Sequence, residues 1–529
     1  MKIRLLSVLA LLLIAAGSAW AGVETPTACI GRFTINKGGS QVLFAHGNLQ
    51  AVCSSADGDD NTQETFTWRF AANQWECIGG ISSSGGGTAT GNNYIDGDGS
   101  LSTAGTVDLF NWVGASSSLT GNASYGINNA SGQGNVAGEA LYSDWGNLFG
   151  GGWRTLSKDE WNYVFNTRKT SSGVRYAKAT VNAVAGVILL PDDWSTSYYN
   201  TLASTNTAAV NFSANTINSS DWTNILEAHG AVFLPAAGYR SSGDVLDKGT
   251  KGFYWSSSSV SDDVNKAYCL KFDGSSLQAQ DTDNRVNGYS VRLVKNVHTL
   301  AEDTNNASWI SDHNGQVYDI TLTRTLKAGG WNTFSVPFSI ATPSGWTVKK
   351  LYEASYNDGT NTLSLEFSDA ASIEAGNAYM VKVEANVVNP TFRNVTISSS
   401  TTATTVPGVV EFVPAINPTA LTLNDKSYLF VSGGNKLTWA SSGSSMKGFR
   451  AYFHILNNNI TNARFFSMGF GDDGQTTGII NLTPTLSEGE GAWYDLSGRR
   501  VQNPAKGIYI QRSVEGRLQG KNGKKVVIK

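Results

Sequence analysis

The sequence predicts an α+β domain, followed by an all-β sandwich and a small C-terminal β unit. Up to about residue 297, short segments with alternating apolar residues are interrupted by two amphipathic segments with helical spacing. Beyond that point, alternating segments follow one another, with turns at Gly, Asn and Asp. The last segment is short and ends in a Lys-rich strand pattern. We therefore expect domains at 22–297, 298–484 and 485–529, with an exposed linker at 296–308.

The N-terminus has the organisation of a secretory signal peptide. Lys2 and Arg4 precede an apolar stretch from Leu5 to Ala16, and Ala19-Trp20-Ala21 forms a small-x-small cleavage site. The apolar run is shorter than the roughly 20 residues that a membrane anchor needs, and no later run is longer. We expect residues 1–21 to be removed and the mature chain to be exported, with no transmembrane helix.

Composition and cysteine usage narrow the range of partners. The chain has 529 residues and a net charge of −3, which gives no basic footprint for nucleic acid. Its four cysteines allow up to two disulfides in three pairings. Cys53 and Cys77 flank a predicted hairpin and are the nearest pair, so they are the first candidates. There is no C-x-x-C spacing and the histidines are scattered, so we expect neither a metal site nor a cofactor.

The first helix is predicted at residues 158–167. Ser157 is a favourable N-cap, and Glu160, three residues later, completes a capping box. Trp161, Val164 and Phe165 then form an apolar stripe at i, i+3 and i+4. This pattern predicts a short helix that packs on an apolar surface.

A second helix is predicted from Asp221 to His229. Ser219 or Ser220 is expected to cap its N-terminus, and Gly230 is expected to end it. Around the two helices, segments such as "RFTIN", "QVLFA", "TWRF" and "GVILLP" show strand patterns. The region from 82 to 142 is mostly Gly, Ser, Asn and Thr, a composition typical of a long loop.

Several motifs of the first domain carry a family resemblance. They are "GNLQ", "WRFAANQW", "WRTLSKDEW", "GVILLPDDW", "GAVFLPAAGYR" and "SVRLVK", and they span nearly all of residues 30–295. They resemble secreted proteins of Bacteroidetes and fibrobacters that carry the Fibrobacter succinogenes major paralogous domain. More distantly, they resemble the formylglycine-generating-enzyme branch of C-type-lectin-like folds. The resemblance implies a C-type-lectin-like domain with two short helices.

The rest of the chain resembles other surface-protein modules. "LKAGGWNTFSVPF", "IEAGNAYMVKV" and "GFRAYF" are similar to a β-sandwich found in surface proteins of the same bacteria, which implies a spacer or presentation role. "WYDLSGRRVQNPAKGIYIQ" and "NGKKVVIK" resemble the C-terminal sorting region of type IX secretion cargo, although "RSVEGRLQG" separates two parts that usually lie closer. This implies contact with secretion machinery, and an ordinary last hairpin is the alternative.

Three kinds of chemistry are disfavoured by the sequence. The copper-dependent oxidases of the related branch use two nearby cysteines, whereas only Cys269 lies in that region. The Glu-Pro-Asn or Gln-Pro-Asp loop of calcium-dependent lectins is missing, and "DGDDN" and "DGDGS" resemble only partial calcium loops. Asp192 and Asp193 are adjacent, so they are poorly placed to flank a glycosidic bond. We interpret them as a turn after a strand.

One set of residues suits ligand binding, because flat aromatic faces beside turns provide contact area at little entropic cost. The set is Trp194, Tyr198, Tyr199, Tyr239 and Arg240. The alternative for each residue is that it packs the core of its own domain.

From the sequence we predict a non-enzymatic binding or adhesion protein, extracellular or displayed on the outer cell surface, whose ligand is a glycan or a protein. The prediction depends on export, on a loop-rich lectin-like domain and on a sandwich able to hold that domain away from the cell. Two alternatives remain: a secreted polysaccharide-acting hydrolase and a structural component of a surface appendage.

Overall fold

The fold is β-rich, as the sequence predicts. In the computed structural model, strands hold 45% of the residues and helices 11%, so strands dominate throughout. The structure describes residues 26–53, 66–79, 105–112, 144–241, 244–263, 265–421, 426–432, 435–441, 443–471, 493–494, 500–501, 507–511 and 524–528. The long loop predicted at 82–142 and the two partial calcium loops lie outside the described residues, apart from 105–112.

The strands are short, and they are numbered along the chain. Up to residue 300 they are β1 (Phe33–Thr34), β2 (Gln41–Phe44), β3 (Leu49–Cys53), β4 (Phe66–Phe70), β5 (Gly105–Val107), β6 (Trp153–Arg154), β7 (Tyr176–Val181), β8 (Val184–Leu189), β9 (Thr216–Ile217), β10 (Val232–Pro235), β11 (Tyr239–Ser241), β12 (Asp244–Leu246), β13 (Lys251–Ser259), β14 (Lys266–Asp273), β15 (Leu277–Asn284) and β16 (Val294–Leu300). They then continue with β17 (Val317–Leu322), β18 (Thr325–Leu326), β19 (Trp331–Phe334), β20 (Ile340–Ala341), β21 (Trp346–Asn357), β22 (Thr362–Asp369), β23 (Ser372–Ile373), β24 (Tyr379–Val383), β25 (Val387–Val388), β26 (Thr391–Thr396), β27 (Thr404–Val406), β28 (Val410–Ala415), β29 (Thr419–Leu421), β30 (Tyr428–Ser432), β31 (Lys436–Trp439), β32 (Ser444–Met446), β33 (Arg450–Ile455), β34 (Phe465–Gly469), β35 (Trp493–Tyr494), β36 (Arg500–Val501), β37 (Gly507–Gln511) and β38 (Lys524–Ile528).

Helical segments are short and often mixed in type. They are a 3₁₀ turn (Trp145–Leu148), α1 (Lys158–Asn162) with a π turn (Tyr163–Thr167), a 3₁₀ turn (Phe212–Ala214), α2 (Ser219–Asp221) with a π turn (Trp222–Leu226) and a 3₁₀ turn (Glu227–His229), α3 (Ala307–Asp312), and a 3₁₀ turn (Asn458–Asn462).

The first predicted helix is confirmed, including its cap. The Ser157 side chain accepts a hydrogen bond from the Glu160 N–H, and the Glu160 side chain accepts one from the Ser157 N–H. Trp161, Val164 and Phe165 are all fully buried in one core cluster. The helix is therefore specified tightly because it is part of the core.

The second helix is confirmed, but its predicted cap is wrong. Asn218, one residue before the predicted serines, accepts a hydrogen bond from the Asp221 N–H at 2.8 Å. Gly230 ends the helix in the left-handed region, with φ of 85°, as predicted. Trp222 and Leu226 are buried in the face that packs on β7–β10. An amide caps a helix as well as a hydroxyl does, so the neighbouring serines hid the true start.

The first part of the chain contains several small sheets. Their strand orders are β10-β8-β7-β9, β13-β14-β15, β4-β3-β5 and β11-β12. In the β1–β2 hairpin, Phe33 lies opposite Val42. Alternating side chains from these sheets meet the helices in three core clusters.

One strand joins the first part of the chain to the second. β16 pairs antiparallel with β2 along one edge; along its other edge it pairs first with β6 and then, in parallel, with β17, so a single sheet crosses the boundary expected at 297/298. Val294, Val297 and Leu300 are buried along this strand. The expected linker at 296–308 therefore begins inside a strand. The buried apolar residues of this strand are separated by pairs of polar residues, and the strands that pair with it are distant in the sequence. The local pattern therefore does not predict a strand here.

The second part has a β-sandwich-like core. One five-stranded sheet has the order β19-β24-β21-β22-β34, and another has the order β27-β28-β33-β30-β31. Side chains of both sheets share one core cluster, in which Phe367 contacts Phe412 and Phe453. The last strands form a separate sheet of order β36-β35-β37-β38. Among the described residues, no helix is long and apolar enough to cross a membrane.

Candidate functional site

The predicted ligand-binding residues lie in two places. Trp194, Tyr198 and Tyr199 belong together beside the second helix. The Trp194 and Tyr198 ring centroids are 5.5 Å apart, and Tyr198 stacks on His229 at 3.9 Å. Trp194 is buried and Tyr199 packs against the same cluster, whereas Tyr198 is 41% exposed. Of these three, Tyr198 is the one that presents a large aromatic surface to solvent.

Tyr239 and Arg240 lie on β11 in a different core cluster. The Tyr239 ring packs on Phe253 at 5.0 Å, and Arg240 is fully buried. The Arg240 guanidinium donates to Asn111 Oδ1 at 2.7 Å, and burial lowers the pKa of Arg240 to about 9. The expectation that Arg240 contacts a ligand conflicts with this enclosure. Its position beside a glycine turn suggested a surface site, but the strand places its side chain inward.

The expected Cys53–Cys77 disulfide is not formed. Cys77 carries a free thiol, as do the buried Cys29 and Cys269. Cys53 lies on β3, but its side chain is outside the described part. Burial raises the pKa of Cys77 to about 11, and the nearby Asp108 carboxylate adds to this shift. Proximity along the sequence was a poor guide, because Cys77 follows a turn that directs it towards Asp108 and Lys248.

A wide cleft lies elsewhere in the first part of the chain, between the β3–β5 sheet, the β7–β8 hairpin and the loop before β13. It has a volume of about 1010 Å³. That volume is at the upper end of the usual size of a ligand pocket, roughly 300–1,000 Å³. Its lining combines aromatic, hydroxyl, amide and cationic side chains, namely Gln50, Arg69, Trp75, Glu76, Cys77, Thr106, Thr180, Asn211, Phe212, Ser213, Lys248 and Thr250.

Local structure fixes the walls of this cleft. Arg69 Nε donates to Gln50 Oε1 at 3.0 Å, across the β3–β4 ladder. Asn211 caps a 3₁₀ turn by accepting from the Ser213 N–H at 3.1 Å. Trp75 is partly exposed and packs against the core cluster of the second helix. These contacts hold the polar groups and the indole in place before any ligand arrives.

The Lys248 side chain lies at the edge of the cleft and packs against Gly79. Its Nζ donates to the Ile78 carbonyl at 3.1 Å. Gly79 has φ of 70°, and a Cβ there would collide with the Lys248 side chain. Glycine is therefore favoured at 79 by the backbone conformation, and a larger residue would also displace the lysine side chain.

Glu76 provides the carboxylate among the described lining residues. Its Oε1 accepts from Asn73 Nδ2 at 2.7 Å, and its Oε2 accepts from the Ala72 N–H at 3.2 Å. These bonds close the turn between β4 and the cleft wall. The carboxylate therefore already has a structural role.

Asp192 connects several elements of the first part of the chain. The sequence predicts the turn that contains it but not these contacts. It lies in the predicted turn, where it pairs with the buried Arg168 at 2.9 Å. It also accepts hydrogen bonds from Thr34 and from Gln41 Nε2. These contacts tie β1, β2 and the first helix to the end of β8. The described residues contain no group of three or more His, Cys, Asp or Glu placed to hold a metal ion.

The cleft as a whole has no recognisable signature in the sequence. Its lining comes from segments between residue 50 and residue 274. Many of these residues are single Thr, Ser, Asn or Gln side chains in ordinary strand ends. Trp75 was the one available clue, because it ends the family-like motif "WRFAANQW".

Comparison with known proteins adds one match. Residues 192–294 match a family described as a domain of unknown function, DUF8237. The matched segment runs from the Asp192 turn to the start of β16, and it includes the cleft residues from Asn211 to Gly274. No match was found among curated proteins or among solved structures.

Proposed function

We propose that this protein is an exported or surface-displayed, non-enzymatic binding protein whose cleft takes a glycan. The observation that carries the proposal is the cleft of about 1010 Å³, with a partly exposed indole beside hydroxyl and amide side chains. We further propose that residues 22–297 form a C-type-lectin-like domain, on the motifs that resemble the major paralogous domain.

The chemistry of the lining suits a saccharide. A sugar ring offers an apolar face, for which Trp75 is a suitable stacking partner. Its hydroxyl groups both donate and accept, as do those of Thr106, Thr180 and Thr250 at the cleft wall. Two cations, Arg69 and Lys248, line the same space and donate to oxygen acceptors. This mixture of one aromatic anchor and several polar groups is typical of a small-molecule site.

Binding is favoured over hydrolysis by the state of Glu76. Hydrolysis of a glycosidic bond generally uses two carboxyl groups on opposite sides of the bond. Glu76 is held in a turn by Asn73 and the Ala72 N–H, so it is committed to the cleft wall. A secreted hydrolase remains an alternative, as does a structural appendage component.

The continuous sheet supports a presentation role for the second part. β16 belongs to the ladder with β2 and to the ladder with β17, so backbone hydrogen bonds rather than a flexible linker connect the two parts. A rigid connection suits a binding module held away from a surface. A protein ligand is the variant of this proposal in which Tyr198, exposed beside Trp194, makes the contact.

A glycan array and a host-matrix protein screen, run with the mature protein, test the proposal. We expect Trp75→Ala to weaken binding of the recognised glycan by about tenfold or more, because truncating an aromatic anchor typically costs about 2 kcal/mol. Thr250→Val, which removes a single exposed hydroxyl, should weaken it less. Tyr352→Ala is the control, since Tyr352 is 58% exposed and lies outside the cleft.

Other outcomes separate the alternatives. Loss of binding in Tyr198→Ala, with Trp75→Ala unaffected, would move the site to the surface beside the second helix. Turnover of a polysaccharide by the purified protein would overturn the non-enzymatic proposal. Neither binding nor turnover would favour the structural component.

A further inference from the structure

A second cleft, confined to the β-sandwich, is lined by four cations. It has a volume of about 640 Å³ and lies between the β18–β19 turn and the strands β30–β33. Among the described residues, its charged lining consists of Arg324, Lys327, Lys447 and Arg450. Trp331 and Phe430 line it as well, together with hydroxyl and amide side chains.

Arg324 is buried but mostly unpartnered. It is 3% exposed, and its Nη2 donates to the Thr333 carbonyl. Its Nε and Nη1 are buried and form no hydrogen bond with any residue that the structure describes. The guanidinium carbon lies 5.5 Å from the centroid of the Phe334 ring. A buried cation with open donors costs stability, so such a group usually serves a ligand or a network.

Glu302, a carboxylate that acts on Arg324, is already paired with two other cations. Arg450 pairs with Glu302 at 2.9 Å, and Lys447 pairs with Glu302 at 2.8 Å and with Asp303 at 2.9 Å. Burial lowers the pKa of Arg324 to about 9, Arg450 adds to that shift, and Glu302 opposes it. Arg324 is therefore charged at neutral pH, while Glu302, the carboxylate that opposes the shift, is engaged by two other cations.

The rim of the cleft is held in place by hydrogen bonds between side-chain amides and the backbone. Asn332 Oδ1 accepts from the Lys327 N–H at 3.1 Å, and Asn332 Nδ2 donates to the Lys327 carbonyl at 2.9 Å. Asn435 Oδ1 accepts from the Trp331 N–H at 2.8 Å, which links the rim to the opposite strands. Trp331 is itself held by stacking on Phe470 at 4.0 Å.

We propose that this cleft binds the anionic group, a carboxylate or a sulfate, of an acidic saccharide, with Arg324 as its principal partner. The open Nε and Nη1 donors lie on different edges of the guanidinium plane, so each can donate to a separate anionic oxygen. The adjacent Trp331 and the Ser and Asn side chains suit the sugar ring and its hydroxyls. This site is separate from the cleft of the first part and does not depend on the function proposed for it.

Thermal unfolding of the mature protein with three probes tests the proposal. The probes are a galacturonic-acid trisaccharide, a sulfated galactose oligosaccharide and a neutral galactose oligosaccharide, each compared with sodium chloride at equal ionic strength. We expect at least one acidic probe to raise the Tm and the neutral probe to leave it unchanged. Which acidic probe acts distinguishes carboxylate from sulfate as the natural group. Equal shifts with sodium chloride, or no shift with either acidic probe, would overturn the proposal.

Variants distinguish a ligand site from a structural arginine. Arg324→Met should abolish the shift and weaken binding by about tenfold or more, which is the usual effect of losing a charged hydrogen bond of about 1.5–3 kcal/mol. It should leave the Tm of the free protein unchanged or raised, because it removes an unpaired buried charge. Arg393→Met is the matched control, since Arg393 is exposed on β26. Retained binding in Arg324→Met would overturn the proposal.

If Arg324→Met fails to fold, Lys327→Met decides the question. Lys327 is exposed on the rim, so its substitution leaves the fold intact. A several-fold loss of affinity for the acidic probe in Lys327→Met supports the site, and unchanged affinity refutes it.

Discussion

Lys295 Nζ lies 3.1 Å from Asp319 Oδ1, and this ion pair bridges the two strands through which the first part of the chain meets the β-sandwich. The two side chains are 10% and 11% exposed, so the pair is nearly buried. Asp319 Oδ1 also accepts from the Asn394 N–H at 2.7 Å, and Lys295 Nζ lies 5.9 Å from the centroid of the Trp153 ring. The junction is therefore a packed, charged contact within one sheet.

Removing the carboxylate charge from this pair should destabilise the protein. In Asp319→Asn, the Lys295 ammonium stays buried without an opposite charge, so we expect a loss of about 3 kcal/mol, as for other broken buried pairs. The measurement is calorimetric unfolding. Asp263→Asn is the control, because Asp263 pairs with Lys266 at the surface, where such pairs contribute about 0–1 kcal/mol. Equal Tm values for the two variants would show that the junction does not depend on the ion pair.

His298 should make the junction sensitive to acid. Its ring stacks on Trp309 at 3.8 Å, and burial lowers its pKa to about 4, with His313 and Arg32 adding to the shift. Between pH 6.5 and about 4, the folded protein binds fewer protons at this site than the unfolded chain does. The stability contributed by the neutral ring is therefore complete above pH 6.5, declines as the pH falls, and is lost near pH 4.

The expected loss is about 2 kcal/mol, after allowance for partial exposure of the ring. Urea unfolding at pH 7.5 and at pH 4.5 measures it, with His298→Phe as the matched variant that keeps the stacking but cannot titrate. The wild type should lose more stability between the two pH values than His298→Phe does. The same loss in both proteins would show that other groups set the acid sensitivity.

The corrected cap of the second helix gives a matched pair of variants. Asn218→Ala should lower the free energy of unfolding by about 1 kcal/mol, because it removes the acceptor for the Asp221 N–H. Ser219→Ala should change it by only a few tenths of a kcal/mol, because Ser219 is not the cap. Thermal unfolding of the two variants measures both effects. The opposite order would restore Ser219, one of the two caps that the sequence predicts.

Local signals predicted local structure well, and distant pairings poorly. The capping box at Ser157 and Glu160 and the glycine at 230 depend on residues a few positions apart, so their patterns are legible in one sequence. The linker predicted from residue 296 overlaps the second half of β16, because the partners of this strand on β2 and β17 lie far apart along the chain. Arg240 was expected at a surface for a similar reason, since burial depends on elements that the local pattern does not contain.

The candidate clefts were harder still to predict. Arg324 has no motif around it, and its importance comes from open donors in a buried position. The cleft at Trp75 is assembled from side chains that are individually common at strand ends. A single sequence carries little information on such sites, because each residue type there is also an ordinary choice for a loop or an edge.

The C-terminal sheet should be dispensable for folding but needed for display. Among the described strands, β35–β38 pair only with one another. We expect a chain ending before Trp493 to keep the Tm of the remaining domains and to stay in the periplasm instead of reaching the surface. Cell fractionation with surface labelling of both forms measures this. Unchanged surface display of the truncated chain would reduce the segment to ordinary structure.

Protection of Cys77 from thiol labelling tests glycan binding in the cleft most directly. Cys77 lines the cleft and carries a free thiol, whereas Cys29 and Cys269 are buried. Because the thiolate is the reacting form and the pKa of Cys77 is about 11, labelling is measured at one fixed alkaline pH, with mass spectrometry of the Cys77 peptide. A glycan that binds in the array should slow labelling of Cys77 several-fold in the wild type and leave it unchanged in Trp75→Ala. An unchanged labelling rate with that glycan bound to the wild-type protein would contradict binding in this cleft.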